Sequence, residues 1–179
     1  MTQGLSLRRL VVLAAVAAAA AAGSGAAVAS CGAGTSARAT IGRPAPVWSG
    51  PTIAGGPLSL TQERGHWVVL NLFATWCNPC RAETPQLVGF AAAQARQTDG
   101  ARIVGVLYSD SVADARSFQR GHGVTWPVLA DASGDTAAAY GVAAGLPQSW
   151  IISPGGVVTA RIFGGVTVAR LDAAVRGSG

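Results

Sequence analysis

A mixed α/β domain is the fold class this sequence predicts, on three observations. Residues 67–73 form a continuous rather than alternating apolar run, as expected of a central strand covered on both faces. That run feeds into Cys77-Asn78-Pro79-Cys80, where a helical pattern begins. Residues 102–108 repeat the strand signal, and the chain closes with two more strand-like runs, a tight turn between them, and a last helix. Strand–helix–strand followed by a hairpin and a helix describes a mixed central sheet with flanking helices.

The bulk properties allow such a domain. The chain has 179 residues, enough for one ordinary domain plus a removable segment. Half the residues are apolar and only 12% are charged, so a core is easily buried. All 13 basic residues are Arg. The formal charge is +5; setting aside Arg8 and Arg9 leaves 5 − 2 = +3, spread along the chain. With no clustered basic patch, nucleic acid is not an expected partner.

The N-terminal segment reads as an export signal. Residues 1–9 are a short basic start, and residues 10–22 are uninterrupted and apolar. Those 13 residues suit a signal-peptide core better than a membrane span, which needs about 20. Val28-Ala29-Ser30-Cys31 resembles the bacterial lipobox, in which the Cys is acylated and becomes the mature N-terminus. The expected division is therefore a signal peptide at 1–30, a lipidated N-terminus and tether at 31–43, and a domain at 44–179. An ordinary secretory signal with an incidental Cys31, or a retained span reading on through Val28, are the alternatives. Arg8-Arg9 adds a weak hint of twin-arginine export. All these readings place the domain outside the cytoplasm, at or near a membrane, where disulfides persist.

The elements follow in order. Turn signals at Gly50-Pro51 and Gly55-Gly56-Pro57 bracket apolar stretches at 52–54 and 58–60, a short hairpin ahead of the main sheet. Another turn is expected at 63–65. The helix after the cysteines runs from 78 to 97, with Leu87, Phe90, Ala91 and Gln94 at helical spacing. Pro85 inside it removes a hydrogen bond and should kink it. After the strand at 102–108, Ser109 or Asp110 can cap a helix at 112–121. A short extended segment at 126–130, a brief helix at 136–140 and a loop to Pro147 follow. Strands at 149–153 and 157–163 around Pro154-Gly155-Gly156, then a helix at 167–176, complete the domain. Trp48, Trp67 and Trp126 read as core, and His66 and His122 as turn or surface residues.

The chemistry lies in the cysteines. Two thiols at Cys-x-x-Cys spacing, where a strand gives way to a helix, suit dithiol–disulfide exchange. Cys77 at the helix N-terminus is favoured as thiolate and nucleophile, and Cys80, one turn on, as the resolving thiol. A static disulfide is the bland alternative. Zinc is disfavoured because only His66 and His122 remain as further ligands, neither at ligand spacing; no metal and no cofactor are expected. Glu83, three residues after Cys80, falls on the helix face near the sulfurs, placed either to move protons or simply to complement the helix dipole. Trp76 beside Cys77 either binds substrate or covers the core.

Residues 43–176 resemble the membrane-anchored thioredoxin-like proteins of bacteria, the TlpA/ResA/CcmG group. The residues that carry the resemblance are Ala45-Pro46, residues 69–80 through the Cys pair, Glu83-x-Pro85, Trp126-Pro127-Val128 with Asp131, and Tyr140-Gly141-Val142 with Gly145-Leu146-Pro147. The resemblance implies a thioredoxin fold with an N-terminal β-hairpin and an inserted strand–helix unit at about 102–131. It implies that Glu83 takes the proton-moving role, since Asn71 stands where cytoplasmic thioredoxins carry a buried Asp. It also implies a cis peptide bond between Leu146 and Pro147, leaving the backbone before Pro147 to pair with an extended substrate. Three positions depart from the pattern: Gln148, Trp150 and Ser153 stand where Thr, Phe and Asp are common, which should alter the substrate groove or its rim. The peroxiredoxins are a second relative, but Thr75 lies two residues before Cys77 rather than three, which argues against a peroxidase.

The function so implied is that of an extracytoplasmic, lipid-anchored thiol–disulfide oxidoreductase that reduces exported protein disulfides. Apocytochrome c is a candidate substrate, and a membrane thiol donor would recharge the enzyme. A disulfide-forming oxidase of the same fold and a non-catalytic anchored binding lipoprotein are the alternatives.

Overall fold

A computed structural model describes residues 38–177; Cys31, the expected signal segment and most of the expected tether lie outside the described residues. The architecture grows from β3 (Val68–Phe73), whose six residues are all buried. Continuous burial follows from its central place: β3 pairs parallel with β4 (Arg102–Leu107) and antiparallel with β6 (Gln148–Ile152). The five-stranded sheet has the order β5-β4-β3-β6-β7, with β5 at Val128–Ala130 and β7 at Val158–Phe163 on the edges. Alternate residues of β3 serve opposite faces. Val69 and Phe73 join a core with Leu87, Phe90, Phe118 and Leu171, and Val68, Leu70 and Leu72 join a second core with Trp48, Tyr140 and Trp150. Asn71 shares the face of Val69 and Phe73, which directs a polar side chain toward the helix that follows.

That helix, α1 (Asn78–Gln94), continues unbroken through Pro85. Pro85 is exposed and deprives the Arg81 carbonyl of its usual i+4 donor without interrupting the helix. The helix ends at Gln94, three residues short of expectation, because the Gln94 side chain takes over the work of the next turn. It accepts from Ala101 N at 2.9 Å and donates to Asp172 Oδ1 at 3.0 Å. The chain then turns so tightly that a Cβ on Gly100 would sit 2.0 Å from the Gln94 carbonyl oxygen, so only glycine fits.

The unit between the two halves comprises β4, α2 (Val112–His122) and β5. Ser111, not Ser109 or Asp110, caps α2: its Oγ accepts from Asp114 N at 3.0 Å. Asp110 is turned the other way, toward Thr75. The N-terminal pair also differs in register. Strands β1 (Ser49–Pro51) and β2 (Pro57–Ser59) pair antiparallel, and residues 52–54 form the turn region. Ile53, in a stretch expected to form part of the hairpin, is instead sunk into the core, its N–H donating to Val128 O at 2.8 Å. Leu60–Glu63 forms a 3-10 turn between the stretch expected at 58–60 and the turn expected at 63–65. A short helix α3 (Asp135–Ala139) and α4 (Val168–Arg176) complete the layers. Within the expected tether, Ala39 N donates to Ala139 O at 2.9 Å and Gly42 N to Val158 O at 2.7 Å, so residues 39–42 are already docked. Among the described residues, no helix is long and apolar enough to cross a membrane.

Candidate active site

Strand β3 delivers the chain to Cys77, and α1 starts there. Cys77 is the N-cap residue of α1, with extended backbone, and its sulfur accepts from the backbone N–H of Cys80 at 3.2 Å. A sulfur in the position normally taken by a Ser or Asp oxygen faces the unpaired N–H groups of the first turn, which favour its anionic form. No acidic residue lies in that first turn to oppose the effect. Cys77 and Cys80 are joined as a disulfide, with Cα atoms 5.3 Å apart. Cys77 is 6% exposed and Cys80 2%, so the outer sulfur is Cys77.

Glu83 lies in the second turn of α1 and is 3% exposed, not on the surface where a dipole-complementing acid would sit. Its Oε1 accepts from the Asn71 side-chain amide at 2.9 Å, and its Oε2 accepts from Val166 N at 3.0 Å. Asn71 also donates to Ser149 Oγ at 3.1 Å, across the β3–β6 pairing in which Asn71 and Ser149 are register partners. Burial dominates the acid's energetics: desolvation pushes the Glu83 carboxyl up to about 7, against the opposing pull of the Asn71 and Val166 hydrogen bonds. The group therefore changes charge near neutrality. A cavity of about 10 Å³ is lined by Asn71, Cys80, Thr84 and Phe118, among others, so Asn71 and the inner cysteine border the same space.

Around the nucleophile, the loop before it is pinned from the inserted unit. Asp110 Oδ2 accepts from both Thr75 N and Thr75 Oγ1 at 2.6 Å, and its Oδ1 accepts from Ser111 N at 2.7 Å. Trp76 is 59% exposed, with its indole N–H donating to the Ser109 carbonyl at 3.1 Å. Ser109 adopts φ +48°, a left-handed conformation that aims its carbonyl at the indole. Trp76 is thus a surface residue beside Cys77 and does not cover the core.

The Leu146–Pro147 bond is cis. Leu146 packs against the core cluster that contains both cysteines, and its backbone N–H and C=O have no partner among the described residues. Gln148 and Trp150 are not groove or rim residues: both are buried. The Gln148 amide donates to the carbonyls of Gly141 at 3.0 Å and Gly145 at 2.5 Å, bracing the loop from behind. A buried amide that satisfies loop carbonyls does from the core what a rim residue cannot.

His66 and His122 take no part in the site: His122 stacks on Phe118, and His66 lines a cavity of about 460 Å³ at the opposite end of β3 and β4. Residue patterns alone missed Asp110, Ser149 and the Val166 N–H. Two of the three had a signal: Ser149 is a polar residue in an apolar strand opposite another, Asn71, and Asp110 lies two residues past the strand expected at 102–108.

Residues 41–161 match the AhpC/TSA family. The thiol-disulfide oxidoreductase ResA of Bacillus subtilis is 32% identical over 115 residues, 63% of this chain and 62% of that protein's length. The thiol-disulfide oxidoreductase ResA of Geobacillus thermodenitrificans is 31% identical over 71% of each chain. Among solved structures, a thiol:disulfide interchange protein of the thioredoxin family from Chlorobium tepidum aligns with a TM-score of 0.67 at 30% identity, covering 79% of this chain and 99% of that one. The fold is therefore a thioredoxin fold, with the antiparallel β1–β2 pair added at its N-terminal side.

Proposed function

The chain belongs to the AhpC/TSA family, and from that premise we propose that it is a thiol–disulfide oxidoreductase that reduces protein disulfides outside the cytoplasm. The observation that carries the proposal is the Cys77 sulfur accepting the Cys80 N–H at the head of α1. In the reduced protein the same N–H groups would hold Cys77 as a thiolate. The thiolate attacks one sulfur of a substrate disulfide; that S–S bond breaks, a Cys77–substrate disulfide forms, and the released substrate thiolate takes up a proton. Cys80 then loses its proton, with Glu83 as acceptor, and attacks Cys77 Sγ. The second substrate thiol leaves, and two electrons have passed from the Cys77–Cys80 dithiol to the substrate.

Two features support a polypeptide substrate. The free N–H and C=O of Leu146 offer a pairing site for an extended segment. The exposed Trp76 supplies apolar area next to the nucleophile. The expected export signal and lipid attachment at Cys31 support an extracytoplasmic, membrane-held location, with apocytochrome c as a candidate substrate and a membrane thiol donor as the electron source. Reduction of a protein disulfide by the reduced domain, followed by a thiol count, tests the activity; a redox titration of the Cys77–Cys80 couple tests its direction. A strongly reducing potential agrees with a reductase, and an oxidising one would make the domain a disulfide donor. Mass spectrometry of the mature protein tests the anchor: diacylglycerol on Cys31 agrees with it, and an intact Ser30–Cys31 bond defeats it.

A further inference from the structure

We propose that the β7 edge of the sheet, with residues 38–43 docked along it, is a contact face for an anionic phospholipid surface. This rests on the membrane-held location proposed above and not on lipid attachment at Cys31. Arginines that are spread along the sequence are gathered here by the fold. Ala39 N donates to Ala139 O, Gly42 N to Val158 O, and Val158 N to Arg43 O at 3.0 Å, so residues 38–43 run beside the start of β7. Arg38 and Arg161 border one cleft of about 310 Å³, whose remaining lining is uncharged. Arg38, Arg43 and Arg161 are all exposed, and among the described residues no carboxylate pairs with any of them. Arg161 donates Nε and Nη2 to the neutral Gln148 Oε1, at 3.2 and 2.8 Å, so its charge is placed but not cancelled. Two of the five exposed large apolar side chains among the described residues, Ile41 and Phe163, lie on the same edge. The Arg161 guanidinium stands 5.6 Å from the Phe163 ring centroid.

Charge is polarised across the sheet. Residues 38–62 and 136–171 contain four Arg and no Asp or Glu. Residues 110–135 contain Asp110, Asp114, Asp131 and Asp135 against Arg116 and Arg120, a net charge of −4 + 2 = −2. That acidic stretch carries β5, and the strand order puts β5 and β7 at opposite edges. An anionic bilayer attracts the β7 edge and repels the other. Exposed Ile and Phe beside Arg suit the boundary between headgroups and acyl chains, where apolar bodies and cationic tips are both satisfied. A second copy of the chain is the poorer occupant, because three uncompensated cations along an edge repel the same edge of another molecule. The course of the chain agrees with lipid. Arg38 stands seven residues from Cys31, at most about 25 Å of extended chain, so an anchor at Cys31 would hold this edge within reach of the bilayer. Gly164 N donates to Pro147 O at 3.0 Å, so the same docking carries the Leu146–Pro147 loop to the membrane surface.

Vesicle binding tests this. Residues 32–179 hold both cores and every described strand and helix, so this fragment folds without the preceding segment. It also lacks Cys31, so no acyl chain contributes. The fragment is sedimented with vesicles of phosphatidylcholine alone or of phosphatidylcholine mixed with phosphatidylglycerol. The expected result is binding to the mixed vesicles at least about tenfold tighter, lost at high salt. Arg38→Gln and Arg43→Gln should each weaken it about fivefold, and Ile41→Ser by about the same factor. Arg96→Gln, an exposed arginine just beyond α1, should leave it unchanged. No binding, equal binding to both vesicles, or a loss in Arg96→Gln equal to that in Arg38→Gln overturns the proposal. A dimer of the fragment in vesicle-free solution that Ile41→Ser dissociates overturns it too, by making the edge a contact between copies. The exchange reaction does not enter this readout: a fragment that reduces disulfides and binds no vesicle contradicts the lipid face alone, and one that binds vesicles and reduces nothing contradicts the exchange reaction alone.

Discussion

The side-chain amide of Asn71 donates to Oε1 of Glu83 at 2.9 Å, joining the central strand to the helix that carries both cysteines. The central strand supplies the hydrogen-bond donor, and α1 supplies the carboxyl. Glu83 is 3% exposed, and that burial, against the opposing pull of the Asn71 bond, pushes its carboxyl up to about 7.

A raised carboxyl pKa has a fixed sign in the stability of the fold. The folded protein holds the Glu83 proton up to about 7, whereas the unfolded chain loses it near 4.5. The associated stability is complete below pH 4.5 and is lost as pH rises through 7, by roughly 3 kcal/mol in total. Urea denaturation between pH 5 and pH 8 should show this fall, and Glu83→Gln should flatten it. The same substitution should remove the inflection near pH 7 from the rate at which Cys80 resolves a mixed disulfide, and slow that step at pH 8 by roughly 10²-fold. An inflection that survives in Glu83→Gln would assign it to another group.

Asp110 anchors the loop in front of the nucleophile. Replacing it with Ala removes the acceptor for Thr75 N, Thr75 Oγ1 and Ser111 N together. The expected cost is about 2–3 kcal/mol, measured by urea unfolding. Since Trp76 is held by the adjacent Ser109 carbonyl, its fluorescence anisotropy should fall in the same variant.

Gly105 is a packing constraint in β4. A Cβ there would come within 2.9 Å of Val128 Cγ2 and 3.1 Å of Phe73 Cε1. Gly105→Ala should destabilise by about 1–3 kcal/mol through overpacking. The double variant with Val128→Ala should be more stable than the two separate losses predict, because the second change makes room for the first.

Much of this was legible in the residues. The continuous apolar run of β3, the helix beginning at the cysteines and the mixed order of strands gave the architecture, because burial on both faces and helical spacing leave direct marks on sequence. Cys77, Cys80 and Glu83 were legible for the same reason: they are chemically distinctive and close in the chain. Gln148, by contrast, reads as a polar residue beside a substrate loop, and nothing local says that its amide turns inward to Gly141 and Gly145. Asp110 reads as a helix cap, but Ser111 takes that role, and the carboxylate instead reaches Thr75, a contact made 35 residues away. Ile53 lies in a stretch expected to be part of the hairpin yet occupies a turn, where its N–H reaches the Val128 carbonyl from another part of the chain. Local pattern fails where a long-range hydrogen bond decides.

The central claim is that Cys77 attacks a disulfide and Cys80 releases the product. Cys80→Ser tests it directly, because the replacement leaves the nucleophile and removes the resolving thiol. Incubated with a disulfide-containing protein and examined by mass spectrometry, this variant should accumulate a covalent adduct through Cys77, and Cys77→Ser should form none. A Cys80→Ser protein that is folded, carries an alkylatable Cys77 thiol and yields no adduct would contradict the account.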